Sequence, residues 1–256
     1  MEPVVKDDVT ILVEGEACLK MLFANRLISL AYNKRQGEVA KKKKTVILTR
    51  QYADQITDDS LVRQENKNAI AGQKFTGYAT LPVRMLKEEV TVALKHGLVW
   101  LEKRSASLWV AHMAESRPEN PTSLWEYPTN VMEKATVRVF EDLWSRGWII
   151  TLGTSFGCDY LAYEADPGVV HSSFLILIDA KRSYETSLPS IMNGIMALAT
   201  KVRKRALFAT VQEDTVNYTS YESCWFRRTE FQQGKKLEED EVAPMDESET
   251  GCNVFV

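Results

Sequence analysis

The spacing of apolar residues along the chain predicts four helices. Apolar positions three or four residues apart mark one face of a helix, and glycine after such a run ends it. Asn130 and Glu133 have the spacing of a capping box, which satisfies the free backbone groups at a helix start. The pattern therefore predicts helices over residues 16–30, 82–97, 130–147 and 188–199.

Short apolar runs bounded by turn residues predict the strands. These runs cover residues 9–13, 45–48, 98–101, 148–150, 157–163, 171–178, 206–211 and 216–221. Asp166, Pro167 and Gly168 form a turn signal between two of them. In the second half of the chain, the order of helix, strands, helix and two strands favours a mixed sheet flanked by helices. The fold class expected from this order is α/β.

A proline-rich break divides the pattern into two parts. We expect an N-terminal α/β domain over residues 1–114, a linker over 115–130 and a second domain over 131–231. Residues 232–256 form an acidic tail that is expected to be disordered. Its last 23 residues carry seven acidic and two basic side chains, so they contribute −5 to the net charge of −3 and leave +2 for residues 1–233.

Composition excludes several classes of protein. No apolar run approaches the ~18–20 residues that a membrane helix needs, and the N-terminus lacks the pattern of a secretory signal. Each cysteine stands alone in the sequence, and no C-x-x-C pair is present. This spacing argues against a structural zinc site and fits a reducing compartment; the cysteines are Cys18, Cys158, Cys224 and Cys252.

Three residues with useful chemistry are expected at one end of the predicted sheet. Tyr163 ends one strand and His171 begins the next, so a hairpin brings them together. Lys204 lies between the last helix and the following strand and can point to the same end. Taken singly, each residue also has an explanation without any catalytic role. Tyr163 could be a tyrosine at the edge of the sheet, His171 a hydrogen-bonded surface histidine and Lys204 a solvated lysine.

The sequence around these residues resembles the tRNA-splicing endonuclease family. Residues 147–174 contain Gly-Trp, then Phe-Gly-Cys-Asp-Tyr-Leu-Ala-Tyr, a short loop and His-Ser-Ser-Phe, as in the catalytic core of that family. Residues 202–208 resemble its lysine before an apolar strand, and Tyr218-Thr219-Ser220 is also similar. The resemblance covers residues 131–226 well. It implies a nuclease-like second domain and a catalytic triad of Tyr163, His171 and Lys204.

The resemblance also implies a reaction and partners. It implies metal-independent cleavage of intron-containing precursor tRNA by the RNA's own 2′-hydroxyl, with no cofactor, in a nuclear complex of four subunits. Two subunits would be catalytic and two structural. The intact triad is similar to that of catalytic subunits. The Asp166-Pro167 loop and Val202-Arg203-Lys204 look more like the subunit that cuts the 3′ splice site.

The triad would supply a base, an acid and a positive charge. An ordinary tyrosine titrates near ~10, so Tyr163 as base would need the nearby charge of Lys204. The lysine would also stabilise the five-coordinate phosphate, and protonated His171 would donate to the leaving 5′-oxygen. The products would be a 2′,3′-cyclic phosphate and a 5′-hydroxyl.

Other residues are candidates for holding RNA. Arg203 and Arg205 flank the lysine, and Trp225 is a candidate for stacking on an unpaired base. Related chains carry an arginine about seven residues before the lysine, where this chain has Ala197. Their tryptophan also lies two residues closer to Tyr-Thr-Ser than Trp225 does. In related chains this arginine and tryptophan together hold a flipped-out base of the RNA. This chain departs from the family pattern at both positions.

Two other functions fit parts of the pattern. Asp159 on one strand, with Asp179 and Lys181 at the end of the next, is similar to the aspartate and D-x-K arrangement of metal-dependent restriction-type nucleases. A chelator would abolish the activity of such an enzyme and leave the triad enzyme unaffected. A non-catalytic scaffold subunit of the same complex is the other alternative, and mutation of the triad would distinguish it.

Overall fold

The structure is a computed structural model that describes residues 9–28, 45–52, 72, 74–118, 125–181, 188–221 and 254–255. Four α-helices occur in this part of the chain: α1 (Glu16–Ala24), α2 (Lys87–Lys95), α3 (Val131–Ser145) and α4 (Leu188–Lys201). None of them is long and apolar enough to cross a membrane.

The first half of the chain contains a four-stranded mixed sheet and a two-stranded ribbon. The strands are β1 (Thr10–Val13), β2 (Thr45–Gln51), β3 (Lys74–Thr80), β4 (Val83–Met85), β5 (Val99–Lys103) and β6 (Leu108–Met113). The sheet has the order β4-β1-β6-β5, in which β1 and β6 are parallel and the other pairs antiparallel. The ribbon pairs β2 with β3.

The second half forms a six-stranded sheet. Its strands are β7 (Ile149–Leu152), β8 (Tyr160–Tyr163), β9 (Phe174–Ile178), β10 (Arg205–Gln212), β11 (Thr215–Tyr221) and β12 (Val254–Phe255). They have the order β12-β11-β10-β9-β8-β7, and only β9 and β10 are parallel among the neighbouring pairs, so the sheet is mixed. The predicted α/β class, with a mixed sheet flanked by helices, is confirmed.

Several predicted boundaries differ from the observed ones. The first helix ends at Ala24, earlier than the apolar spacing suggests, and Arg26 has a left-handed backbone with φ 60°. The second helix begins at Lys87 because residues Val83–Met85 pair with β1 instead of opening the helix at Pro82. The capping box at Asn130 is confirmed, since its side chain accepts a hydrogen bond from the Glu133 amide at 2.8 Å.

One continuous core joins the two halves of the chain. Its buried residues include Leu19 and Val90 from the first half and Val139 and Tyr160 from the second. The division at residues 115–130 stays a prediction. A smaller apolar cluster on the other face of the six-stranded sheet packs β8, β9 and β10 against α4.

The acidic tail lies mostly outside the described residues. Its two described residues, Val254 and Phe255, pair with Thr219 and Tyr218 at the edge of β11. The sequence favoured a free tail, because acidic residues precede this short apolar end. The pairing gives the outer strand of the sheet a neighbour, which leaves fewer of its backbone groups open.

The buried Glu89 of α2 leads to a prediction about stability and pH. Its carboxylate accepts a hydrogen bond from the Leu86 amide at 2.9 Å, and burial raises the pKa of Glu89 to about 8. The folded protein therefore binds this proton more tightly than the unfolded chain does. Stability is lost as pH rises from the ordinary value of 4.5 towards 8, by at most about 1.4 kcal/mol per pH unit.

Glu89→Gln is expected to remove this dependence. The stability of the wild type relative to the variant should fall steadily between pH 5 and 8, because glutamine carries no proton to lose. Urea unfolding of both proteins across this range measures the difference. Parallel stability profiles would show that Glu89 is ionised in the folded protein at neutral pH.

Candidate functional site

Three strands of the six-stranded sheet bring the predicted triad to one end of the sheet. Ala162 of β8 lies opposite Phe174 of β9, and Phe174 lies opposite Arg205 of β10. The next row contains Tyr163, Ser173 and Lys204. The Ser173 amide donates to the Ala162 carbonyl at 2.9 Å, and the Arg205 amide donates to the Ser173 carbonyl at 3.0 Å. Neighbouring strands lie about 4.8 Å apart, so the three segments meet.

Tyr163 and Lys204 share the face of the sheet that packs on α4. Leu161, Leu175 and Ala206 belong to the apolar cluster on that face, and Tyr163 packs against the same cluster. Side chains two residues apart in a strand point to the same face. Position 163 therefore shares a face with 161, and position 204 with 206. The sheet places the proposed base and the proposed cation on one side.

The end of α4 directs Lys204 towards this site. Arg203 has a left-handed backbone with φ 54°, and the Lys204 amide donates to the Ala199 carbonyl at 2.8 Å. This turn leads straight into β10. The Lys204 ammonium then donates to the Ser172 carbonyl at 2.8 Å. The half-buried lysine is thereby fixed against the residue that follows His171.

His171 lies in the loop before β9, which begins at Phe174 and not at His171 as the sequence predicted. Its side chain is exposed, whereas Val170 before it and Ser172 and Ser173 after it are buried. The Ser173 hydroxyl donates to the Glu164 carboxylate across the loop. Buried neighbours on both sides fix the backbone at His171, so its imidazole projects from a defined point at the same end of the sheet.

The loop between Tyr163 and His171 contains a buried acid that the sequence did not reveal. Asp166 is fully buried and accepts hydrogen bonds from Arg50 at 3.0 Å and from the Tyr52 hydroxyl. Burial raises the pKa of the Asp166 carboxyl above its ordinary value, and the hydrogen bonds from Tyr52 and Arg50 oppose that rise. Its partners lie more than 100 residues away in the chain, where no local pattern indicates them.

The predicted RNA-binding residues lie in different environments. Arg203 and Arg205 are both exposed beside Lys204. Arg205 also lines an apolar pocket with Arg146, Trp148 and Phe174, on the α3 side of the sheet. Ala197 is exposed on α4. Trp225 lies outside the described residues, so its role stays a prediction.

The residues proposed for a metal site lie at the opposite end of the sheet from Tyr163. Asp159 precedes β8 and Asp179 follows β9. The Asp159 carboxylate accepts a hydrogen bond from the Ile178 amide at 2.7 Å, which gives it a structural role at the end of β9. Lys181 ends the short 3₁₀ helix that starts at Asp179. The described residues contain no group of three or more His, Cys, Asp or Glu that could hold a metal ion.

A sequence profile matches the part of the chain that carries this site. The profile describes the tRNA intron endonuclease, catalytic C-terminal domain, and it matches residues 134–218. Residues 134–218 belong to the tRNA intron endonuclease family. The matched region runs from α3 to β11 and contains Tyr163, His171 and Lys204. The family resemblance of the sequence is thus confirmed for this domain.

Individual relatives are similar to part of the chain. A tRNA-splicing endonuclease of Saccharolobus islandicus is 28% identical over 102 residues, which cover 38% of this chain and 55% of the archaeal protein. The human tRNA-splicing endonuclease subunit Sen34 is 30% identical over 129 residues, covering 46% of this chain and 40% of the human protein. The tRNA-splicing endonuclease of Methanosarcina acetivorans is 34% identical over 82 residues, which cover 31% of this chain and 23% of the archaeal protein.

The shared region is about half of the archaeal relatives' own length, and less of the human one. The family match covers residues 134–218, so the N-terminal sheet and ribbon have to be understood from their own contacts.

Proposed function

We propose that this chain is a catalytic subunit of a tRNA-splicing endonuclease and cuts precursor tRNA at the 3′ splice site without a metal ion. The observation that carries the proposal is the register of β8, β9 and β10, which brings Tyr163, the His171 segment and Lys204 to one end of the sheet. The profile match over this domain and the names of the relatives, which are tRNA-splicing endonucleases, support the same substrate.

The proposed reaction is an in-line attack by the RNA itself. Tyr163, acting as the phenolate, takes up the proton of the 2′-hydroxyl, and the 2′-oxygen forms a bond to the adjacent phosphorus. The bond from phosphorus to the 5′-oxygen breaks, and His171 transfers a proton to that oxygen. One strand then ends in a 2′,3′-cyclic phosphate and the other begins with a 5′-hydroxyl.

Lys204 has an electrostatic role in this scheme. Negative charge increases at the five-coordinate phosphate, and a fixed ammonium lowers the energy of that state more than a mobile one does. The hydrogen bond from Lys204 to the Ser172 carbonyl holds the ammonium in place before the RNA arrives. Because this anchor is the residue next to His171, the hydrogen bond keeps the cation close to the segment that carries the acid.

Partners are part of the proposal. Residues 1–233 carry only +2, whereas phosphate contacts supply much of the affinity for nucleic acid. We propose a nuclear heterotetramer with a second catalytic and two structural subunits, which together provide the surface that a tRNA needs. The assignment to the 3′ splice site is based on two segments, the Asp166-Pro167 loop and Val202-Arg203-Lys204. Both resemble the subunit of the family that cuts the 3′ splice site.

The proposal is tested with precursor tRNA, the purified chain and a reconstituted four-subunit complex. The complex should cut at both splice sites at the same rate with and without EDTA, and should leave 5′-hydroxyl ends that a kinase can label directly. The chain alone should cut poorly. Loss of cutting in EDTA would favour the metal mechanism at Asp159 and Asp179. Efficient, accurate cutting by the chain alone would contradict the heterotetramer.

A further inference from the structure

The loop that carries His171 is held by residues from the distant β2–β3 ribbon. Arg50 near the end of β2 and Tyr52 just after it both reach Asp166, which is fully buried. The Arg50 guanidinium donates to one carboxylate oxygen at 3.0 Å, and the Tyr52 hydroxyl donates to the other. The Asp166 amide donates back to the Tyr52 hydroxyl at 2.7 Å. One tyrosine thus binds both the side chain and the backbone of Asp166.

The ribbon side of this contact is itself fixed. The second guanidinium nitrogen of Arg50 donates to the Phe23 carbonyl, and the guanidinium lies 4.3 Å from the centre of the Phe23 ring. Phe23 belongs to the buried face of α1. A planar guanidinium that is stacked and bonded in two directions has little freedom to move. Arg50 therefore connects Asp166 to the core of the first half.

The loop side of the contact leads directly to the proposed acid. The amides of Val169 and Val170 donate to the Asp166 carbonyl at 2.7 and 3.2 Å. Val170 is buried against Ala165 in a small cluster that Tyr52 and Tyr163 also contact. The next residue is His171. The path from Tyr52 to the start of His171 thus consists of Asp166, two backbone hydrogen bonds and one buried valine.

A buried charge of this kind is costly unless partners compensate it. A turn at the protein surface between two strands does not require one. Asp166 would need no buried partners if its loop only had to reverse the chain direction. Its position midway between Tyr163 and His171 suggests that the loop has to hold one conformation.

We propose that Arg50 and Tyr52 are positioning residues, which hold the loop through Asp166 so that His171 stays beside Tyr163 and Lys204. This inference rests on the proposed function, because it assigns the ribbon a role in that reaction. It also gives the N-terminal half, which lies outside the matched endonuclease domain, a part in the chemistry. Tyr52 and Arg50 touch neither the RNA nor the reacting atoms in this scheme.

The test uses Tyr52→Phe in the reconstituted endonuclease, with Tyr78→Phe as matched control. Both variants remove one hydroxyl from the same ribbon, and Tyr78 lies opposite Ile47, away from the Asp166 contact. Single-turnover cleavage at the 3′ splice site should fall about 10- to 100-fold in Tyr52→Phe at saturating precursor, because small displacements of a catalytic group are this costly. KM should stay unchanged, and Tyr78→Phe should cleave like the wild type.

Combination with His171→Ala shows whether the effect passes through the histidine. If it does, Tyr52→Phe should slow the His171→Ala enzyme less than twofold. An equal fractional loss in both backgrounds, or a change confined to KM, would overturn the proposal, since a general loss of structure acts independently of His171.

Hydrogen exchange of the free chain provides a readout that does not depend on cleavage. Tyr52→Phe should speed exchange of the Val169 and Val170 amides at least tenfold and leave the β9 amides unchanged, while Tyr78→Phe should alter neither. Unchanged exchange at Val169 and Val170 would overturn the proposal even in an active enzyme. If the complex does not cleave RNA, the proposed function fails. Faster exchange at these amides in Tyr52→Phe would still support the inference that Tyr52 holds the loop in place.

Discussion

His171→Ala in the reconstituted complex should slow cleavage at the 3′ splice site by about 10²–10⁴-fold, the usual contribution of a general acid. The 5′ site should still be cut, because the other catalytic subunit would serve it. Precursor cut only at the 5′ site should therefore accumulate, and gel analysis of the products over time measures it. Assembly should be unaffected, since the His171 side chain is exposed and the buried neighbours Val170 and Ser172 remain.

A modified substrate distinguishes loss of the acid from damage to the site. When sulfur replaces the 5′-oxygen at the 3′ splice site, the leaving group departs without a proton and no acid is required. His171→Ala should then cleave at nearly the wild-type rate. Wild-type cutting of the normal substrate at both sites by His171→Ala would show that the triad or the 3′ assignment is wrong.

The second half of the fold could be predicted in detail because its signals are local. The capping box at Asn130, the apolar face of α4 and the short apolar runs of the strands each lie within a short window of sequence. They specify elements independently of the rest of the chain. One error occurred where tertiary pairing overrode local preference, at Pro82, which precedes β4. Another lies at residues 157–159, where a short 3₁₀ turn ends at Gly157 with φ 67° and β8 begins only at Tyr160.

The candidate site could be predicted only in part. Tyr163 ends β8 and Lys204 precedes β10, so topology brings these two together. His171 was expected to begin a strand, but β9 begins only at Phe174, and His171 lies in the loop before it. Asp166 looked like an ordinary turn residue, because its burial depends on Arg50 and Tyr52. Contacts between residues so far apart depend on how the ribbon packs, and the hydrophobic pattern of either segment does not contain that information. The strand β6 was also missed in this way, although Trp109 and Val110 are buried in it.

Lys204→Met is expected to reduce 3′ cleavage by about 10²–10³-fold, the effect of removing one fixed electrostatic contact to a transition state. Methionine keeps the apolar stem of the side chain, so packing on the α4 face should be retained. It removes the ammonium that donates to the Ser172 carbonyl. Binding of precursor, measured by filter retention, should weaken only slightly, because one phosphate contact among many is lost.

The contrast between Lys204 and His171 is the sharpest check of their separate roles. The sulfur-substituted substrate should rescue His171→Ala and leave Lys204→Met slow, because the charge on the five-coordinate phosphate develops whichever atom leaves. Lys204→Arg should recover part of the rate, since it restores the charge while its planar guanidinium fits the Ser172 carbonyl differently. Rescue of Lys204→Met by sulfur would assign the lysine to the leaving group and make His171 a candidate for another role. Full activity of Lys204→Met would exclude the ammonium from the reaction and leave it only the structural bond to Ser172.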